Sequence, residues 1–206
     1  MTPSRLLLLA CLGLTSIFIV SCGGGYDDRH AMIVSVRDQR MLLVKDDKPV
    51  KSYPISTSKF GLGSRSGSRH TPLGKHEVVK KIGDGAAIGT VFKGRRRTGE
   101  VIRPNSPGRD PIVTRILWLR GLERHNRNTM ARCVYIHGTP AEHKIGRPAS
   151  YGCIRMKSHD VIDLYKRVGE GADVRIIRGS LDATRPGARY YAATNNRYKN
   201  TATRWY

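Results

Sequence analysis

Acidic residues, cysteine and long apolar runs are all scarce in this chain. Only 16 Asp and Glu face 37 Lys and Arg, a formal net charge of +21. A field of that sign favours anionic partners and disfavours acidic ones. Cysteine occurs four times, and two of these, Cys11 and Cys22, fall in the N-terminal apolar stretch. The two that remain, Cys133 and Cys153, are too few for a disulfide framework. With His137 and His143 they also lack the closely paired spacing of structural zinc ligands, so no metal is expected. The one long apolar run, Leu6 to Val20, has 15 residues. A membrane-spanning helix needs about 20. Helical periodicity is equally sparse, and one segment alone carries it clearly.

What is present begins at the N-terminus. Arg5 precedes the apolar run, which reads as the hydrophobic region of a signal peptide over residues 1–21. It ends in Ile19-Val20-Ser21-Cys22, followed by three glycines, and this resembles a bacterial lipobox. The expectation is an exported protein lipid-anchored through Cys22, with 22–29 as a tether. Gly23 after Cys22 favours the outer membrane of a Gram-negative-type periplasm. Removing the signal takes away one basic residue and leaves 36 against 16, a net +20. Nucleic acid is the usual partner of such a charge. For an exported chain, the anionic wall or membrane surface fits better, and a solvated basic surface needs no partner.

Strand-like segments follow at Met32–Val36, Met41–Lys45, Val50–Ile55, His76–Ile82, Ile112–Leu119, Cys133–Ile136 and Asp173–Ile177. Ser56–Gly74 reads as a long loop and Gly83–Pro111 as mostly loop, the second holding Arg95-Arg96-Arg97. Ser158–Val168 reads as the main helix, with Ser158 as cap and Val161, Leu164, Tyr165 and Val168 on one face. Residues 179–206 are basic and poor in aliphatics, with Tyr190, Tyr191, Tyr198, Trp205 and Tyr206. They are expected to be a disordered tail. The fold class is mainly β, one domain over 30–178 with long loops.

The chemistry concentrates in Val134-Tyr135-Ile136-His137-Gly138 and Ser150-Tyr151-Gly152-Cys153-Ile154-Arg155. An apolar strand ends in a histidine, a loop follows, and a cysteine arrives after glycine. A thiol attacks as its thiolate, and a neighbouring imidazole can take its proton. Glycine before the nucleophile lets the backbone approach a substrate. Backbone N–H groups around Gly152 and Cys153 are then candidate oxyanion donors. From residues alone the packing alternative stays open for both His137 and Cys153. Cys133, four residues before His137 in the same reading, is expected to be a small buried core thiol on that face. Pairing with Cys153 would disable the nucleophile. His143 reads as a loop residue.

The two stretches resemble the signature of the L,D-transpeptidase catalytic domain (YkuD-type): His-Gly, a loop, then Ser-His-Gly-Cys, an aliphatic residue and Arg or Asn. Thr71-Pro72-Leu73-Gly74, Thr114-Arg115-Ile116-Leu117, Gly121-Leu122-Glu123 and Ile145-Gly146 resemble further family segments, so the likeness covers about 30–178. It implies a β-sandwich-like catalytic domain. It implies Cys153 as nucleophile, His137 as base, and Gly138 as the residue whose carbonyl orients the imidazole. Ser150, Tyr151, Gly152 and Arg155 fall at the substrate and oxyanion side. Tyr151 departs from the family's usual histidine. The implied substrate is a peptidoglycan stem peptide. The thiol forms a thioester with loss of D-alanine and passes the acyl group to an amine, without a cofactor. A hydrolase of the same fold and a non-catalytic wall-binding lipoprotein are the alternatives.

Overall fold

The computed structural model describes residues 25–202, with side chains to residue 195. The expected signal peptide, Cys22, Trp205 and Tyr206 lie outside the described residues. Ten strands build one mixed sheet: β1 (His30–Ser35), β2 (Arg40–Lys45), β3 (Lys48–Pro54), β4 (Gly74–Ile82), β5 (Thr90–Lys93), β6 (Arg96–Val101), β7 (Ile112–Gly121), β8 (Tyr135–Gly138), β9 (Ile154–Met156) and β10 (Asp173–Ile177). Two helices accompany them, α1 (Ser158–Arg167) and α2 (Arg185–Ala202). The mainly β reading holds.

The strand order runs β3-β2-β1-β10-β4-β7, after which β7 carries β5–β6 along one edge and β8–β9 along the other. Pairing is antiparallel except β1 with β10 and β8 with β9. Tight turns set the hairpins. Asp46 and Asp47 both adopt positive φ between β2 and β3, as a two-residue type I′ turn demands. The sheet curls until Ser56, just past β3, exchanges two backbone hydrogen bonds of 2.9 Å with Arg155 on β9.

The main core fills the concave side. Met32, Val34, Met41, Leu43, Tyr53, Val78, Leu117, Ile136 and Ile154 meet Val161, Leu164 and Tyr165 of α1 there. Alternation sends the intervening residues Ile33, Leu42 and Val44 to the other face, where they are buried too. That burial comes from the tail. Leu181 is fully buried, and Tyr190 and Tyr191 of α2 pack beside it. Residues 185–202, expected to be disordered, are therefore helical, because β1 and β2 offer an apolar outer face to cover.

Two further expectations fail. The stretch read as mostly loop over 83–111 contains the β5–β6 hairpin, turned by Gly94 and Arg95 at positive φ. Every residue of β6 is exposed, so no apolar alternation marks it. Ser158 does not cap α1. It is the first helical residue, its N–H donates to Glu142 Oε1 at 2.7 Å, and its hydroxyl meets Thr114 Oγ1 at 2.9 Å.

If α2 and its approach hold the outer face, Leu181→Ala should cost about 2–5 kcal/mol, the usual range for a buried leucine. Urea unfolding measures it. A change under a few tenths would show that the tail does not stabilise the sheet.

Candidate active site

The parallel pairing of β8 with β9 places Ile136 beside Ile154 and His137 beside Arg155. Cys153 is the residue immediately before β9, so the ladder brings the end of β8 and the Cys153 loop together. His137 is buried near the end of β8, and its Nδ1 lies 2.8 Å from the Gly138 carbonyl oxygen. A carbonyl can only accept, so Nδ1 carries the proton and Nε2 holds the free lone pair. Gly138 itself must be glycine. A Cβ there would stand 2.7 Å from the Val113 carbonyl oxygen.

Cys153 is half-buried and free. Its loop is tied from within by Ser150, whose hydroxyl donates to Cys153 O at 2.6 Å and accepts from Gly152 N–H at 3.2 Å. Ser150 thus shapes the turn. It also takes up the Gly152 N–H, one of the groups expected as oxyanion donors. The N–H groups of Tyr151 and Cys153 make no hydrogen bond among the described residues. Gly152 adopts φ +122°, where a side chain is strained. Thr71, fully buried, donates to Gly152 O at 3.0 Å and accepts from Ser58 N–H at 3.0 Å. The long loop before β4 therefore clamps the Cys153 loop from outside.

Arg155 is buried and pairs with Asp110 Oδ2 at 2.6 Å, while Thr139 donates to the other Asp110 oxygen at 2.5 Å. Its guanidinium also donates to Ala149 O at 3.2 Å. Asp110 had no signal in the sequence beyond its charge. Tyr151 is exposed and packs against Phe60 with ring centroids 5.4 Å apart. Lys59 Nζ and the Arg69 guanidinium sit 4.9 and 5.5 Å from the Tyr151 ring.

Two cavities open onto the thiol. One of 420 Å³ is lined by Phe92, Asp110, His137, Tyr151, Cys153 and Arg155, so the β5–β6 hairpin contributes a wall. The other, of 360 Å³, is lined by Arg69, Arg132, Cys133, Tyr151, Gly152 and Cys153. Tyr151 and Cys153 belong to both. Cys133 is not the core thiol expected. It is exposed, at φ +54°, and precedes β8 by two residues. The positive φ breaks the alternation that would have put it with His137. His143 lies in a short 3-10 helix, Glu142–Lys144, its Nδ1 3.3 Å from Asn105 Oδ1. Among the described residues no three His, Cys, Asp or Glu side chains are grouped to hold a metal.

Electrostatics leave both partners neutral at rest. Burial pushes the His137 imidazole down to about 4. Burial likewise pushes the Cys153 thiol up to about 11, against the opposing pull of the Tyr135 N–H and of Arg155 and Arg132. The thiol proton rests on the Cys133 carbonyl oxygen, 3.5 Å from Sγ.

Because the thiol pKa is raised, the thiolate fraction grows about tenfold per pH unit through the neutral range. Iodoacetamide alkylation of Cys153, followed on the tryptic peptide 145–155, should climb with that slope from about pH 7 to 10. A plateau starting below pH 8 would mean a preformed thiolate–imidazolium pair.

The chain matches the L,D-transpeptidase catalytic domain family, YkuD, over residues 29–176. It is 27% identical over 147 residues to the protein named "Putative L,D-transpeptidase YkuD" of Bacillus licheniformis, covering 71% of this chain and 65% of that one. It is 27% identical over 145 residues to "Putative L,D-transpeptidase YqjB" of Bacillus subtilis, covering 70% and 69%. Among solved structures, it is similar to an L,D-transpeptidase from Mycobacterium smegmatis at 14% identity and TM-score 0.48, covering 72% of this chain and 58% of that one. A second, from Xylanimonas cellulosilytica, gives 17% and 0.46, covering 73% and 61%. The chain thus spans under two thirds of the first of these curated relatives and of both solved chains. With the match running through His137, Gly138 and the Ser150–Arg155 loop, this chain belongs to the YkuD family of L,D-transpeptidase catalytic domains.

Proposed function

We propose that the protein is a peptidoglycan L,D-transpeptidase in which Cys153 is the nucleophile and His137 its base. The observation that carries this reading is the position of Cys153. It stands where two cavities meet, with His137 lining one of them and its Nδ1–H committed to Gly138. A transferase that forms an acyl-enzyme needs a donor on one side of the nucleophile and room for an acceptor on another.

Sγ attacks the amide carbonyl carbon of the third residue of a tetrapeptide stem while Nε2 of His137 takes the thiol proton. The free N–H groups of Tyr151 and Cys153 are the donors available to the oxyanion. Collapse breaks the C–N bond, the imidazolium returns the proton to the leaving D-alanine amine, and a thioester remains. An amine from a second stem or a protein then attacks the thioester. Arg155 is held by Asp110, so its part is to fix the loop and the local charge. Tyr151 and Phe60, with Lys59 and Arg69 beside them, present apolar faces and cations at the shared rim, suited to a stem peptide and its carboxylates. Defined muropeptides and mass spectrometry test the assignment. Cross-linked dimer and free D-alanine are expected from the wild type, none from Cys153→Ala, and a loss of about 10²-fold or more from His137→Ala. Release of D-alanine without dimer would make it a carboxypeptidase. Product from Cys153→Ala would overturn the nucleophile.

The location follows from the N-terminus. The Ile19-Val20-Ser21-Cys22 motif supports export to a periplasm and acylation at Cys22, with Gly23 favouring the outer membrane. Several acyl chains hold a protein to a bilayer firmly. In a Gram-negative host, Cys22→Ala should release the protein from the membrane fraction after a high-salt wash. Retention equal to wild type would exclude the lipid anchor.

A further inference from the structure

The Cys133 side chain has no step in the proposed acyl transfer, yet it is accessible and stands at the same cavity as Cys153. Cys133 and Cys153 are both free, and both line the 360 Å³ cavity. The two residues touch, with Cys153 Sγ 3.5 Å from the Cys133 carbonyl oxygen. The Cys133 sulfur does not point into a core. Arg95 of the β5–β6 turn donates to it at 3.7 Å, and the same guanidinium reaches the Tyr135 hydroxyl at 3.2 Å. Cys133 also sits in the turn before β8, outside any strand ladder, so its side chain can turn without breaking sheet hydrogen bonds. A packing role would have buried it, and a pairing role with a third cysteine would have placed it away from the site.

We propose that Cys133 is the resolving thiol of Cys153, converting an oxidised nucleophile into a reversible disulfide. The inference rests on the reading of Cys153 as a nucleophile, but its chemistry is measured without transpeptidation. The oxidant is a hydroperoxide. Cys153 sulfur, giving up its proton, attacks the peroxide oxygen, the O–O bond breaks, the leaving hydroxide takes that proton as water, and a sulfenic acid forms. The sulfur has lost two electrons and the peroxide has gained them. Cys133 sulfur, giving up its proton, then attacks the Cys153 sulfur. The S–S bond forms, the S–O bond breaks, and the oxygen leaves as water. A dithiol reductant reverses the product by exchange. Without a resolving thiol the sulfenic acid would go on to sulfinic and sulfonic acids, which thiols do not reduce. The cavity thus protects the group on which the acyl transfer depends.

The test is peptide mapping of the full chain after hydrogen peroxide. Trypsin separates Cys133 on peptide 133–144 from Cys153 on peptide 145–155, so the cross-link is read apart from Cys11 and Cys22. Wild type should yield the two peptides joined and short of two hydrogens, and a dithiol should restore both thiols. Cys133→Ser and Cys133→Ala should instead accumulate Cys153 carrying two or three oxygens, not restored by dithiol and formed faster by on the order of tenfold. Two outcomes overturn the proposal: equal over-oxidation of Cys153 in wild type and both variants, or a Cys133 cross-link to Cys22 rather than Cys153. If Cys153 does not react with peroxide at all, the proposal is also overturned. The muropeptide assay decides separately whether Cys153 is the nucleophile.

Discussion

The site depends on one short ladder, the parallel pairing of β8 with β9. Three residues on each strand fix its register, Ile136 with Ile154, His137 with Arg155, and Gly138 with Met156. A slip of one residue would turn every side chain of the slipped strand to the other face. His137 would then leave the cavity, or the Cys153 turn would close on the core. The register is held because Ile136, Ile154 and Met156 are fully buried in the main core, so a slip would drive apolar groups out of it. The loops then follow. Ser150 ties the turn before β9, Thr71 ties that turn to the loop before β4, and Asp110 ties Arg155 to the loop leading into β7.

The same burial sets the chemistry. A buried imidazole and a half-buried thiol, both held neutral, avoid the cost of separated charges in a region of low polarity. In the proposed reaction, charge appears only when substrate arrives and the proton moves. The Gly138 carbonyl then matters twice. It selects the tautomer before reaction and accepts the stronger hydrogen bond of the imidazolium during it. A histidine without such a partner could present either nitrogen to the thiol.

Much of this was legible in the residues. Alternating and continuous apolar segments located β1, β2, β7 and β10 closely, and the spacing of Val161, Leu164 and Tyr165 located α1. His137, Gly138 and Cys153 stood out because glycine, histidine and cysteine abut β-branched runs. The misses have physical causes. β6 is exposed at every residue, so no apolar pattern could mark it, and only the Gly94-Arg95 turn gave a signal. Strand alternation does not extend back past Val134 to Cys133, because the backbone turns there at φ +54°. The tail was misread from its own composition. The decisive signal lay elsewhere, in β1 and β2, whose consecutive buried residues need cover on both faces. Thr71 and Asp110 act through contacts 81 and roughly 45 residues away, which no local pattern encodes.

The placement of β1 has a mechanical side. It is the first strand of the described chain and it is interior, paired with β2 on one edge and β10 on the other. Tension arriving from the residues before His30 runs along its axis. It must slide two ladders and the apolar rows above and below them at once, whereas a strand pulled sideways from a sheet edge parts one hydrogen bond at a time. A domain loaded this way can be tugged through its leading residues while the ladder between β8 and β9, four strands away across β10, β4 and β7, keeps its spacing.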